Sequence, residues 1–497
     1  MLFNSYEFMF FFPIVLLIYF IFPKKIRYIW LLAASYYFYM SWNPKYAILI
    51  AISTVITYFS GILLQRAKER EKESWKKWIV AGSFVSNLGI LAFFKYFDFL
   101  FNNANMVLEK LGISILQKPF DIILPVGISF YTFQALSYTM DVYHDKVSAE
   151  KNLLKYMLFV SFFPQLVAGP IERSENLLKQ VREAHLMNLW NFERISNGII
   201  LMLWGYFQKL VIADRASIFV DAVYSEYWMY GSVELILATV LFAVQIYCDF
   251  ASYSLIAIGA AKIMGFELME NFNAPYFAAS IKDFWRRWHI SLSTWFRDYL
   301  YIPLGGSRCS TIKKYRNLMI TFLISGLWHG ASWSFVVWGG IHGIYQIIGD
   351  LLKPVREKIK TVLHVKTNCL SYRLGQIIMT FMMVCFAWIF FRMNSLMNSL
   401  SFIKRIFVRM DLWVLHDKSI YTIGLNQTQM SILFFSLLAL LLVDLVRYKK
   451  NCTIDIFLKE QNIWFRWGIV YLLLFTIIIY GVYGPEYDAS SFIYFQF

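Results

Sequence analysis

Charge is scarce in this 497-residue chain. Asp, Glu, Lys and Arg together make up 16% of it, where a soluble protein carries about a quarter. That excludes an ordinary multidomain soluble enzyme. Cysteine is scarce as well. Cys248, Cys309, Cys369, Cys385 and Cys452 form no C-x-x-C pair and no metal-ligand spacing, so they read as isolated thiols and no metal is expected. No G-x-S-x-G elbow, P-loop, dinucleotide fingerprint or H-E-x-x-H occurs, which removes the motif-borne hydrolase, nucleotide-binding and zinc-protease chemistries. No period of 20–50 residues and no low-complexity tract is present. That excludes a solenoid and removes the repeat signature on which many transporters are built.

What is abundant is apolar and aromatic surface. Hydrophobic residues make up 59% of the chain and aromatic residues 19%, which suits an integral membrane protein with rings at headgroup level. Phe8–Phe22 is apolar, has no Lys or Arg before it, and is followed by Lys24, Lys25 and Arg27. A signal peptide has its basic residues on the other side, so this is a retained span with the N-terminus outside. Further spans are expected near 28–42, 46–65, 78–94, 153–168, 196–212, 232–248, 316–328, 333–350, 373–391, 430–446 and 464–483. The apolar segment Ile123–Met140 is interrupted by Pro125 and Gly127, which implies a kinked span or a re-entrant element. Between the spans, Arg66–Lys77 carries six basic and three acidic residues and reads as an exposed cytoplasmic helix or loop. The basic RYKKN at 447–451 places the tail SSFIYFQF outside. The formal net charge of +15 is explained by topology and anionic lipid, so no nucleic-acid partner is expected.

The reading is therefore an all-α integral membrane protein of about 11–13 transmembrane or re-entrant helices. It is treated as one polytopic membrane domain over 1–497, with a core at about 120–350 and C-terminal spans at about 373–483.

Two segments carry candidate chemistry. The block 281–308, IKDFWRRWHISLSTWFRDYLYIPLGGSR, is too polar to span. Phe284, Trp288, Leu292, Trp295 and Tyr299 recur at spacings of three and four, as on an amphipathic helix at a membrane surface. Eight Lys or Arg against two Asp between Lys282 and Arg316, among them Arg286, Arg287 and Arg297, suit either a lipid anchor or a rim that binds a phosphorylated cofactor. The second segment is LWHGASWSFVVWGGIHG at 327–343. His329 sits at an expected helix break, WHGASW, between apolar stretches. An ionisable residue inside a membrane is a functional candidate by default, and an imidazole suits a general base near neutral pH. His144, His185, His364 and His416 lie in polar stretches and read as solvated.

Several ordered motifs carry a resemblance: LPVGISFYTFQ at 124–134, FFPQLVAGPIER at 162–173, YCDFASYSLIAIGAAKIMGF at 247–266, NFNAPYFAASIKDFWRRWH at 271–289, GLWHGASW and GGIHG. Together they resemble the membrane-bound O-acyltransferase (MBOAT) family, and within it the bacterial alginate-acetylation branch, the AlgI-like proteins. Leu255 departs from that branch, standing where an acidic or amide residue is usual. The resemblance implies helices ringed around a funnel or tunnel in the plasma membrane. It implies His329 and His289 as the catalytic pair, His342, Trp333 and Asp249 as structural residues of the tunnel, and Arg286, Arg287, Arg297 and Trp328 at the donor. It implies no permanently bound cofactor, with acetyl-CoA or another acyl thioester as donor. The acyl group, acetyl in this branch, passes from the cytoplasmic side to a cell-surface polysaccharide or to an exported SGNH-like acetyltransferase. In the mechanism expected here, His329 takes the proton of an attacking hydroxyl, with the Trp328 and Trp333 indoles as candidate oxyanion donors; a covalent acyl-histidine is the other route. Three alternatives remain: D-alanyl transfer to teichoic acid from an acyl-carrier protein, a polysaccharide transporter or channel, and a non-catalytic scaffold for an exported partner.

Overall fold

The computed structural model describes residues 1–120, 122, 124–167, 169–393 and 395–483. Among the described residues every regular element is helical, and each of the apolar segments named above contains helix, interrupted at Phe162 in the segment 153–168. Among the described residues seven helices are long and apolar enough to cross a membrane: Tyr46–Glu69, Glu73–Lys110, Phe192–Ser225, Ser232–Met264, Leu370–Arg392, Gln427–Lys450 and Ile463–Tyr480. Trp333–Leu351 and Lys353–Val362 meet at a 50° bend and together qualify as a broken span or a re-entrant loop. Tyr6–Ile21 is a shorter apolar helix. The expected position of the tail SSFIYFQF falls outside the described residues.

The chain divides into two compact units. One comprises Met1–Ile199 with Ile256–Met269, the other Ile200–Leu255 with Glu270–Phe497. In the first unit the helix expected near 78–94 runs from Glu73 to Lys110, 38 residues. At 1.5 Å per residue that is roughly 57 Å, longer than the ~30 Å hydrocarbon core. The segment broken by Pro125 and Gly127 resolves as an irregular approach followed by the helix Ile128–Tyr143. Gly127 lies at φ 74°, and a Cβ there would sit 2.6 Å from the Leu166 carbonyl oxygen, so both backbone and space demand glycine. The basic stretch 66–77 forms the facing ends of two helices, Tyr46–Glu69 and Glu73–Lys110, joined by a tight turn.

The second unit holds every candidate site residue. Helix Thr311–His329 is followed by Gly330 in extended conformation and then by helix Trp333–Leu351. Ser332 caps the second helix by accepting from the Ser334 N–H at 3.2 Å. The break expected at WHGASW is therefore present, and His329 is the last residue before it. The two helices pack with backbones nearly touching: a Cβ at Gly339 would lie 2.2 Å from the Phe322 carbonyl oxygen. Backbone cannot swing aside as a side chain can. Gly339→Ala is therefore expected to destabilise the protein by about 2–3 kcal/mol, seen as lower thermal stability in detergent. Unchanged stability would show that the two helices can separate freely.

The block 281–308 corrects an expectation. A single amphipathic surface helix does not form. The chain makes a helix at Ile281–Arg287, breaks at Trp288–His289, and resumes at Ile290–Phe296 before a wide π-turn at Arg297–Tyr301. His289 takes a left-handed conformation, φ 43° and ψ 55°, which a non-glycine residue adopts only when its surroundings hold it there. Asn271 supplies the hold. Its carbonyl accepts the Ile290 N–H at 2.9 Å. Its side-chain oxygen accepts the Ser291 hydroxyl at 2.6 Å, and its amide donates to the Ser254 hydroxyl at 2.9 Å. Phe284, Trp288, Leu292 and Trp295 all turn inward and are buried.

Candidate active site

The break at His289 and the break after His329 bring three histidines into one aromatic cluster. His289 is 0% exposed, His329 4% and His342 0%. The His289 and His329 rings lie 6.3 Å apart between centroids. Trp328 touches both, at 5.9 and 5.0 Å. Trp338 lies edge-to-face with His329 at 5.1 Å and contacts His342 at 5.1 Å. Phe250 closes the far side of His289 at 4.5 Å, and Phe391 lies 5.5 Å from His329. The Trp285 indole N–H donates to His342 Nδ1 at 3.3 Å. Because Nδ1 accepts, the neutral His342 ring carries its proton on Nε2. His289 lies outside the candidate spans, and burial pushes its imidazole down to about 3, so it is uncharged at neutral pH.

Beside this cluster is a cavity of about 940 Å³, near the upper end of the roughly 300–1,000 Å³ typical of small-molecule sites. Its inner wall includes Trp285, Phe322 and Ser325. Trp285 is the hydrogen-bond partner of His342, Phe322 lies 6.4 Å from the same ring, and Ser325 stands one helical turn before His329. The cavity is also lined by Lys282, Arg286, Arg297, Lys314, Lys353 and Arg356. Among the described lining residues Asp350 is the one acid, and it pairs with Lys314 at 2.5 Å. An apolar interior under a cationic border can receive an amphiphile with an anionic head.

The structure sorts the remaining candidates. Arg286 and Arg297 line the cavity; Arg297 also pairs with Asp298 at 2.7 Å. Arg287 does not line it. Its guanidinium bonds Asp283 at 3.0 Å and the Asn273 carbonyl at 3.2 Å, and lies over the Tyr448 ring, a clasp that steadies the short 281–287 helix. Trp328 is buried in the histidine cluster rather than in the cavity wall. Trp333 is 57% exposed at the start of its helix and is not enclosed with the histidines. Asp249 is buried and binds Lys209 at 2.6 Å, and Lys209 also binds Asp214 at 2.8 Å. Phe250, the residue after Asp249, is the one against His289.

Sequence reasoning missed three groups. Trp338 lies four residues before His342 and on the same helical face, a spacing that was visible in the sequence. Lys209, 1% exposed, is a lone cation inside an apolar run, also visible. Asn271 carried no signal, because its role depends on the fold.

A polytopic helical protein with buried histidines beside a cationic, apolar cavity is the setting for a reaction on an acyl or phosphoryl amphiphile inside a membrane. The sequence matches the membrane-bound O-acyltransferase family over residues 85–396. It is 35% identical to the probable alginate O-acetylase AlgI of Azotobacter vinelandii over 459 residues, covering 90% of this chain and 85% of that protein. It is 34% identical to a peptidoglycan O-acetyltransferase of Helicobacter pylori, covering 81% of this chain and 79% of that protein. A teichoic acid D-alanyltransferase of Bacillus subtilis is more distant, 28% identical over 55% of this chain and 70% of that protein. The chain belongs to the membrane-bound O-acyltransferase family and is a multi-pass membrane O-acyltransferase.

Proposed function

We propose that this protein transfers acetyl from a cytoplasmic thioester, acetyl-CoA, to a hydroxyl acceptor on the outer side of the plasma membrane, with His329 as the catalytic residue. The acceptor is a cell-surface polysaccharide or an exported acetyltransferase partner. The observation that carries the reading is the placement of His329: buried, at a helix break, one turn from a wall residue of the cationic cavity. The relatives named for O-acetylation cover far more of the chain than the D-alanyl relative does, which favours acetyl over D-alanyl.

In this mechanism the cationic border holds the phosphates of coenzyme A, and the pantetheine arm lies along the apolar wall. His329 takes the proton of the acceptor hydroxyl as its oxygen attacks the thioester carbonyl. The tetrahedral intermediate collapses, the C–S bond breaks, and the imidazolium returns its proton to the departing thiolate. His289, neutral and buried 6.3 Å from His329 between ring centroids, shapes the pocket around the base without adding charge. An acyl-histidine route would use the same contacts.

The test is transfer of radiolabelled acetyl from acetyl-CoA in membranes containing the protein. Label reaching an extracellular acceptor supports the reading. Label moved only from a carrier-protein thioester would replace acetyl-CoA as donor. The border makes its own prediction. Neutralising Arg286 and Arg356 together, as Arg286→Gln with Arg356→Gln, is expected to raise KM for acetyl-CoA about tenfold with kcat within twofold. An unchanged KM would remove these residues from donor binding.

A further inference from the structure

We propose that the indole N–H of Trp338 is the oxyanion donor of the acyl-transfer step. The proposal rests on the reading of His329 as base. Trp338 is 0% exposed, yet its Nε1 has no hydrogen-bond partner among the described residues. Buried indole N–H groups nearly always find an acceptor, and an unpaired one is a standing cost unless a ligand meets it. Of the two imidazoles beside it, His342 cannot supply one. His342 accepts from Trp285 through Nδ1 and carries its own proton on Nε2, so it has no lone pair left to offer Trp338. Trp285 thereby keeps His342 from quenching the indole.

The surroundings fix the ring in place. Trp338 stacks on Trp388 at 5.6 Å and 18°, and packs edge-on against Phe391 at 5.0 Å and Trp285 at 5.8 Å. Its contact with His329 is edge-to-face at 5.1 Å. A donor held rigidly beside the base, on a ring with no exposed surface, costs no reorganisation when charge develops. Trp333 is largely exposed, and Trp328, which also touches His329 at 5.0 Å, is shared between two imidazoles, with His289 at 5.9 Å.

In the step itself, the acceptor oxygen bonds to the thioester carbon and its proton passes to His329. The carbonyl electron pair moves to oxygen, which accepts the Trp338 N–H. Collapse restores the carbonyl and expels the thiolate, which takes the proton from His329. The indole N–H is neither made nor broken.

The test replaces the N–H and little else. Position 338 is changed to 3-benzothienylalanine by stop-codon suppression, which puts sulfur where Nε1 stands, with Trp338→Phe as a second variant. Initial rates from acetyl-CoA are compared at equal folded amount, with thermal unfolding as a control. The expected result for the sulfur variant is a kcat about 100-fold lower, with KM for acetyl-CoA and the unfolding temperature unchanged. A kcat within twofold of wild type, while His329→Ala is inactive, overturns the proposal and leaves His329 standing. Activity retained in His329→Ala overturns the reading beneath both. If Trp338→Phe fails to fold, the sulfur variant alone decides.

Discussion

His329→Ala is expected to lower kcat for acetyl transfer by 10³-fold or more, with the protein still folded. General-base catalysis alone contributes about 10²–10⁴-fold, and His329 is also in ring contact with Trp328, Trp338 and Phe391. The loss belongs in kcat and not in KM, because the cationic residues proposed to meet the donor lie in the cavity wall rather than around the imidazole. His329→Gln is the companion variant: it keeps a polar group of similar reach but cannot act as a base near neutral pH. Rates are measured in proteoliposomes at equal folded amount. Wild-type rates in both variants would sink His329 as the base. Loss in Ala with full recovery in Gln would make it a hydrogen-bonding post. Loss in both is the expected result.

Lys209→Met is expected to be the most damaging single change to stability outside the histidine cluster. Lys209 stands between two buried carboxylates, Asp249 at 2.6 Å and Asp214 at 2.8 Å, and all three side chains are at most 6% exposed. Removing the Lys209 ammonium takes away the ion pair it makes with each of these buried acids, at a cost of roughly 3–5 kcal/mol. The triple variant Lys209→Met, Asp214→Asn, Asp249→Asn should recover much of that loss, since all three buried charges are then replaced by neutral groups. Unfolding in detergent, followed by tryptophan fluorescence, measures both. A Lys209→Met protein within about 0.5 kcal/mol of wild type would mean that water or another cation reaches these acids. Activity should fall along with stability, because Asp249 holds the helix turn that presents Phe250 to His289 at 4.5 Å.

The first of these sites was open to sequence reasoning and the second was not. His329 was legible because two local signals agree there. An apolar run ends at Trp328–His329, and Gly330-Ala331-Ser332 supplies a residue free to extend and a capping hydroxyl for the next helix. Both signals act within a few residues, so no distant contact can overrule them. The apolar segments were legible for a similar reason: in a membrane the backbone must satisfy its own hydrogen bonds, and an apolar run has little choice but helix. The break at His289 was hidden. The spacing of Phe284, Trp288, Leu292 and Trp295 continues through it as though one helix ran on, and the left-handed turn is imposed by Asn271, a residue many positions earlier in the chain.

The sequence alone therefore determined the class of protein, most of its helical segments and the place of His329 at the end of one of them. Each depends on composition or on neighbours in the chain. The tertiary structure decided which tryptophans pack against His329, which arginines reach the cavity and what Asp249 binds. Lys209 shows why. It pairs with Asp214, five residues on, a separation that an ordinary helix places on different faces. The π-turn Phe207–Ala213, in which the Asp214 N–H reaches back to the Lys209 carbonyl, brings the two side chains together. Whether one extra residue is taken into a turn is settled by what the turn packs against, here Asp249 on another helix, and no local pattern encodes that.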